Sequence, residues 1–83
     1  MSCWHVYLLR CADDSLYCGI TNNLPRRLKQ HNAGTASKYT RSRIPVRLET
    51  SVEVACKSDA LRLELKVKGM RRDQKIPFLL SCI

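Results

Sequence analysis

Hydrophobic and polar positions divide the chain into short blocks of changing period. Cys3 to Cys11 is dense in aromatic and aliphatic residues and predicts a strand. Asp13-Asp14-Ser15 carries turn chemistry, and Leu16 to Thr21 predicts the returning strand of a hairpin. If Ala12 pairs with Leu16 across a three-residue loop, the odd-numbered residues of both strands share one face. That puts Tyr7 and Tyr17 on the same side of the hairpin, whereas a two-residue turn would separate them. Asn22 or Asn23 then caps a helix with Pro25 in its first turn and Gly34 at its end. Leu24 and Leu28 form one stripe of that helix, and Arg27 and His31 a second i, i+4 stripe beside it.

Thr35 to Pro45 reads as a loop of small and basic residues. Val46 to Val54 alternates as a third strand, with Val46, Leu48, Thr50, Val52 and Val54 on one face. Asp59-Ala60-Leu61 starts a helix that runs to about Met70 or Arg72, with a negative charge in its first turn. Asp73 caps a short last helix whose Ile76, Phe78, Leu79 and Leu80 close the core. The expected fold is α/β: a small three-stranded antiparallel sheet flanked by helices, one domain spanning residues 1–83.

Composition changes this picture in three ways. A hydrophobic content of 45% argues for a globular chain, and no apolar run nears the roughly 18 residues of a bilayer span. The N-terminal Met1-Ser2-Cys3-Trp4-His5 lacks the pattern of a secretory signal, so a cytoplasmic, intracellular protein is expected. Five cysteines without C-x-x-C spacing argue against a disulfide framework or a zinc site and for small buried hydrophobes in a reducing compartment. The net charge of +8 matters most through its distribution. From Ser15 to Leu48 there is no Asp or Glu, while Arg26, Arg27, Lys29, Lys38, Arg41, Arg43 and Arg47 all fall there. Such a stretch predicts a surface for a polyanion, most simply nucleic acid.

Glu64 stands apart on its helix. Ala60, Leu61 and Val67 lie three or four positions away, so its carboxylate leans toward an apolar stripe, where an unpaired charge is costly. An ion pair with Arg27 or another base resolves that cost, and so does a bound divalent cation.

Taken together, His5-Val6-Tyr7, Tyr17-Cys18-Gly19, Arg27, His31 and Glu64 resemble the GIY-YIG nuclease superfamily over about Trp4 to Lys75. The resemblance is to its small stand-alone bacterial and viral subgroup. Tyr7 matches the tyrosine of the first half-motif, Tyr17-Cys18-Gly19 the second, Arg27 the helix arginine and His31 the His/Tyr position one turn on. Glu64 matches the metal-binding glutamate, and Tyr39-Thr40 a polar loop motif of the subgroup. Two positions depart from the pattern: His5-Val6 replaces Gly-Ile, and Ile76 stands where many members carry an Asn.

The resemblance implies an endonuclease that hydrolyses DNA (or RNA) with Mg²⁺ or Mn²⁺ held by Glu64. In that reading Tyr7 accepts the proton of the attacking water, directly or through a relay. A phenol with an ordinary pKa of about 10 is a poor base, so Tyr7 must be deprotonated or strongly polarised by Arg27 or the metal. Arg27 stabilises the transition-state charge, and His31 and Tyr17 position water or relay protons. Arg26, Lys29, Lys38, Tyr39, Thr40, Arg41 and Arg43 are expected at the nucleic-acid surface. The alternative is a nucleic-acid-binding module that kept the fold with weak or lost catalysis. A protein partner or a homodimer would then supply substrate specificity.

Overall fold

A computed structural model describes residues 3–82; the reading that rested partly on Met1 and Ser2 lies outside the described residues. The hairpin forms as β1 (Trp4–Arg10) and β2 (Leu16–Thr21). Its tip closes because Cys11 N–H donates to the Ser15 carbonyl at 2.9 Å and Asp14 N–H to the Cys11 carbonyl at 2.9 Å. The Asp13 carboxylate accepts from Ser15 N–H and Ser15 Oγ, an Asx turn, and Asp14 takes the positive φ of 71°. The loop is therefore Ala12-Asp13-Asp14, three residues long as expected. Leu16 pairs with Arg10, two positions before Ala12, the partner expected from sequence. A two-residue shift preserves parity: Tyr7 faces Gly19 and Leu9 faces Tyr17, so the two tyrosines share a face.

β3 (Arg47–Val54) pairs antiparallel with the other edge of β1, giving the order β2-β1-β3. The expected unbroken alternation of β3 is corrected by a bulge. Leu8 opposes Thr50 but Leu9 opposes Leu48, so Glu49 is an extra residue. From there on the face inverts. Thr50 and Val52 lie on the side of Leu8, whereas Val46 joins Tyr7, Leu9 and Cys11 on the other, and Leu48 is left 40% exposed.

Each face buries its own cluster. On one, Val6, Leu8, Cys18 and Val52 pack with Ala60 and Val67 of α3 (Lys57–Lys68) and Leu79 of α4 (Arg72–Ser81). On the other, Tyr7, Leu9, Cys11 and Val46 pack with Tyr17, Leu24 and Leu28. The leucine stripe of α1 (Leu24–Asn32) thus docks as its spacing predicts. Asn23 caps α1 by accepting from Arg26 N–H at 3.2 Å. At its C-terminus Gly34, with φ 80°, donates to the His31 carbonyl while Thr35 donates to the Gln30 carbonyl, a Schellman ending.

Three further expectations need correction. The Thr35–Pro45 loop contains a helical turn, α2 (Lys38–Arg41), nucleated by Ser37 Oγ accepting from Tyr39 and Thr40 N–H. Of the last-helix residues expected to close the core, Leu79, Ile76 and Phe78 do so but Leu80 is 52% exposed. Leu61 of the expected α3 apolar stripe is 42% exposed. Only Cys11 and Cys18 are buried hydrophobes; Cys3, Cys56 and Cys82 are exposed, because they sit just outside β1 or cap α3 and α4.

Candidate active site

Tyr7 lies in the middle of the central strand with its ring laid across β2. Only glycine at position 19 permits this: a Cβ there would clash with the Tyr7 hydroxyl. That contact is the physical reason for the Tyr-x-Gly spacing. The ring is 1% exposed, and its hydroxyl lies 2.8 Å from His31 Nε2. His31 is itself fully buried, with Nδ1 2.8 Å from Thr40 Oγ1. Tyr17 packs edge-on against His31, with centroids 5.1 Å apart; Tyr39 stacks on Tyr17 at 5.8 Å, and the Arg43 guanidinium lies 4.0 Å above Tyr39. A continuous aromatic ladder therefore runs from the buried Tyr7 to the surface.

Arg27, one helical turn before His31, completes the group. Its Nη1 donates to Gln30 Oε1 at 3.2 Å, while its Nε is buried and has no partner among the described residues. A buried donor left unpaired costs about 1–3 kcal/mol, and it is unusual in a native chain. An anionic oxygen is the natural partner for it.

Burial dominates the protonation of the pair. Tyr7 is pushed up to about 12 by desolvation, against the pull of the Arg27 guanidinium. Of the two states left open, deprotonated or polarised, Arg27 polarises Tyr7, but burial outweighs its pull and the hydroxyl keeps its proton. His31 is held down to about 4 by desolvation and then by the Arg27 charge, so it is a neutral imidazole at pH 7. This has a consequence for stability. The unfolded His31 binds a proton below its ordinary 6.5, while the folded one resists until about 4. Between those values the unfolded state holds more protons, so stability falls as pH falls. At 1.36 kcal/mol per pH unit the loss from pH 7 to pH 5 should be about 2 kcal/mol, and His31→Gln should flatten it. Urea unfolding at the two pH values measures this; an equal slope in both proteins would refute it.

Glu64 is placed differently. It stands on α3, the helix covering the opposite face of the sheet, and its charge acts on Cys18, whose thiol burial and Glu64 together raise to about 11. Cys18 lies between Tyr17 and Gly19, so Glu64 and the tyrosines flank the same edge strand from two sides. Its side chain is 15% exposed, with Oε2 3.5 Å from Lys68 Nζ. Of the two ways to resolve its charge, the structure shows an ion pair, made with Lys68 and not with Arg27. Its hard oxygens also fit Mg²⁺, which typically takes one or two carboxylates and draws its remaining ligands from water and phosphate. Among the described residues no three His, Cys, Asp or Glu side chains cluster to form a larger cage.

A cleft of about 280 Å³ opens at this edge, lined by Trp4, Ile20, Asn23, Arg26, Arg27 and Gln30. Arg26, Lys29, Lys38 and Arg41 are exposed, and Tyr39 is 38% exposed. Arg43 is engaged: Nε meets Asp13 at 2.9 Å and Nη1 the Tyr39 carbonyl at 2.8 Å. Thr40, expected at the nucleic-acid surface, is fully buried beneath His31 and is corrected to an interior residue. Two contributors were missed in the sequence. Gln30 holds Arg27 from one turn on. Asn32 clamps Val46 through both backbone groups, at 2.7 and 3.1 Å. Only the i, i+3 spacing of Gln30 was a legible signal.

A family model of the GIY-YIG catalytic domain matches residues 3–76. A UPF0213 protein of Nitratidesulfovibrio vulgaris is 47% identical over 76 residues, covering 92% of this chain and 69% of the relative. The UPF0213 protein Reut_B5558 of Cupriavidus pinatubonensis is 49% identical over 75 residues, covering 90% and 83%. Among solved structures, the E. faecalis protein EF2693 superposes with a TM-score of 0.68 at 35% identity, covering 98% of this chain and 86% of that one. The UPF0213 protein BH0048 of Bacillus halodurans gives 0.58 at 40% identity, covering 95% and 83%. A match that takes in both half-motifs, the α1 arginine and the α3 glutamate leaves one assignment: this chain belongs to the GIY-YIG catalytic-domain family.

Proposed function

We propose that the protein is a divalent-metal-dependent endonuclease hydrolysing phosphodiester bonds of DNA. The observation that carries this is the Tyr7 hydroxyl 2.8 Å from the ring of a neutral His31 and beside a guanidinium with an unsatisfied buried N–H. Glu64 would hold a divalent cation, which would supply Lewis-acid chemistry at the scissile phosphate. The protein's own groups do the rest. Arg27 takes a non-bridging oxygen and stabilises the charge that grows as the new P–O bond forms. The attacking water gives its proton to Tyr7 Oη as the phenolic proton passes to His31 Nε2, so Tyr7 stays neutral and its raised pKa is no obstacle. The resulting imidazolium lies near the phosphate, whose negative charge offsets the Arg27 repulsion that keeps His31 neutral in the free protein. The old P–O bond breaks, and solvent protonates the leaving oxygen. Exposed Arg26, Lys29, Lys38 and Arg41 hold the backbone, with Tyr39 beside them.

Incubating the protein with plasmid, flapped and branched DNA, with Mg²⁺ or Mn²⁺ and with EDTA, tests the proposal. Metal-dependent strand cleavage on at least one substrate is expected. Binding without cleavage on the whole panel would replace the nuclease with a binding module.

A further inference from the structure

We infer that Thr40 is a positioning residue for the reaction: its buried hydroxyl accepts from His31 Nδ1–H and so presents the bare Nε2 to Tyr7. The inference deepens the proposed function and rests on it. The Thr40 end allows this direction of bonds: its hydroxyl can accept from Nδ1–H at 2.8 Å while its own proton turns toward the Ser37 carbonyl, 3.5 Å away. The Tyr7 end selects it. If Nε2 carried the proton, the Tyr7 hydroxyl would need another acceptor at a site that is 1% exposed. Among the described residues the Tyr7 hydroxyl makes no other hydrogen bond, and Arg27 beside it only donates. That tautomer strands a buried O–H, and the opposite one gives the Tyr7 hydroxyl and both His31 ring nitrogens a partner.

Thr40 itself is held by local structure. Ser37 Oγ accepts from the N–H groups of Tyr39 and Thr40, and so sets the single turn that aims the Thr40 side chain at α1. Tyr39 and Thr40 thus divide the turn between them: Tyr39 stacks on Tyr17 toward the surface, and Thr40 orients the imidazole below.

Long-range ¹H–¹⁵N spectra of histidine-labelled protein report the His31 tautomer with no substrate present. At pH 7 the wild type should carry its proton on Nδ1, as should Thr40→Ser. Thr40→Val, of equal size, should lose this preference. Its kcat should fall at least about tenfold with KM little changed, since a wrong tautomer in a catalytic triad costs up to about 10⁴. Thr40→Ser should stay within a few-fold of wild type. An Nε2–H tautomer in the wild type, or a Thr40→Val that keeps both tautomer and kcat, would overturn the assignment. If Thr40→Val does not fold, the wild-type tautomer and the Thr40→Ser rate still decide it. A wild type with the Nδ1–H tautomer that cuts no DNA would count against the nuclease reading and not against the placement of the imidazole by Thr40.

Discussion

Arg27→Ala should lower the single-turnover cleavage rate by about 10²–10³-fold while weakening DNA binding less than about tenfold. The asymmetry follows from where the guanidinium sits. Its Nε is already dehydrated and unpaired, so little of its hydration is lost when a phosphate arrives, and its interaction strengthens as charge accumulates on the reacting oxygens. Arg26 is the internal comparison. It is exposed, lies about 100° further round α1, and shares the cleft without touching the tyrosine pair. Its removal should leave the single-turnover rate of bound DNA nearly unchanged and reduce the log–log salt slope of binding by about one, as for a single phosphate contact. Rapid-quench cleavage at saturating protein, with filter binding across a salt series, separates the two effects. Equal losses of affinity and rate in both variants would make Arg27 one more backbone contact.

The legible part of this site was the part written in short-range spacing. Spacing placed Arg27 and His31 on one stripe of α1, through its cap, Pro25 and Gly34. The odd loop that puts Tyr7 and Tyr17 on one face, and the meeting of the two pairs, came from the family resemblance. Even the register shift did not matter, because the side-chain period is two. The bulge at Glu49 was invisible, since inserting one residue leaves the alternation of Val46 to Val54 looking continuous while turning half of it over. Thr40 was misplaced for a related reason. A hydroxyl in a basic loop has the composition of a surface contact, and only a partner nine residues back in sequence reveals it as interior. Protonation was legible in cause but not in sign. Arg27 beside Tyr7 was anticipated, yet a ring burying itself over Gly19 loses more through desolvation than the guanidinium returns.

Glu64→Gln should abolish metal-dependent cleavage, with a loss of about 10³-fold or more, and leave the fold intact. The rate estimate is that of several kcal/mol of Lewis-acid stabilisation at about 1.36 kcal/mol per decade. The fold should survive because glutamine keeps the shape, and the bond it gives up is a 3.5 Å i, i+4 contact with a half-exposed lysine, worth about 0.3–0.5 kcal/mol. Removing the charge should also lower the Cys18 thiol from its raised value, a change that thiol titration can follow without any substrate. Mn²⁺ calorimetry with a short DNA present supplies the decisive comparison, because a single carboxylate needs phosphate oxygens to complete the shell. Asp59→Asn is the control on the same helix: that carboxylate is exposed and pairs with Arg62, so neither Mn²⁺ binding nor cleavage should move. If Glu64→Gln binds Mn²⁺ and cuts DNA as the wild type does, the carboxylate is only the partner of Lys68. The cation would then be held by ligands other than Glu64.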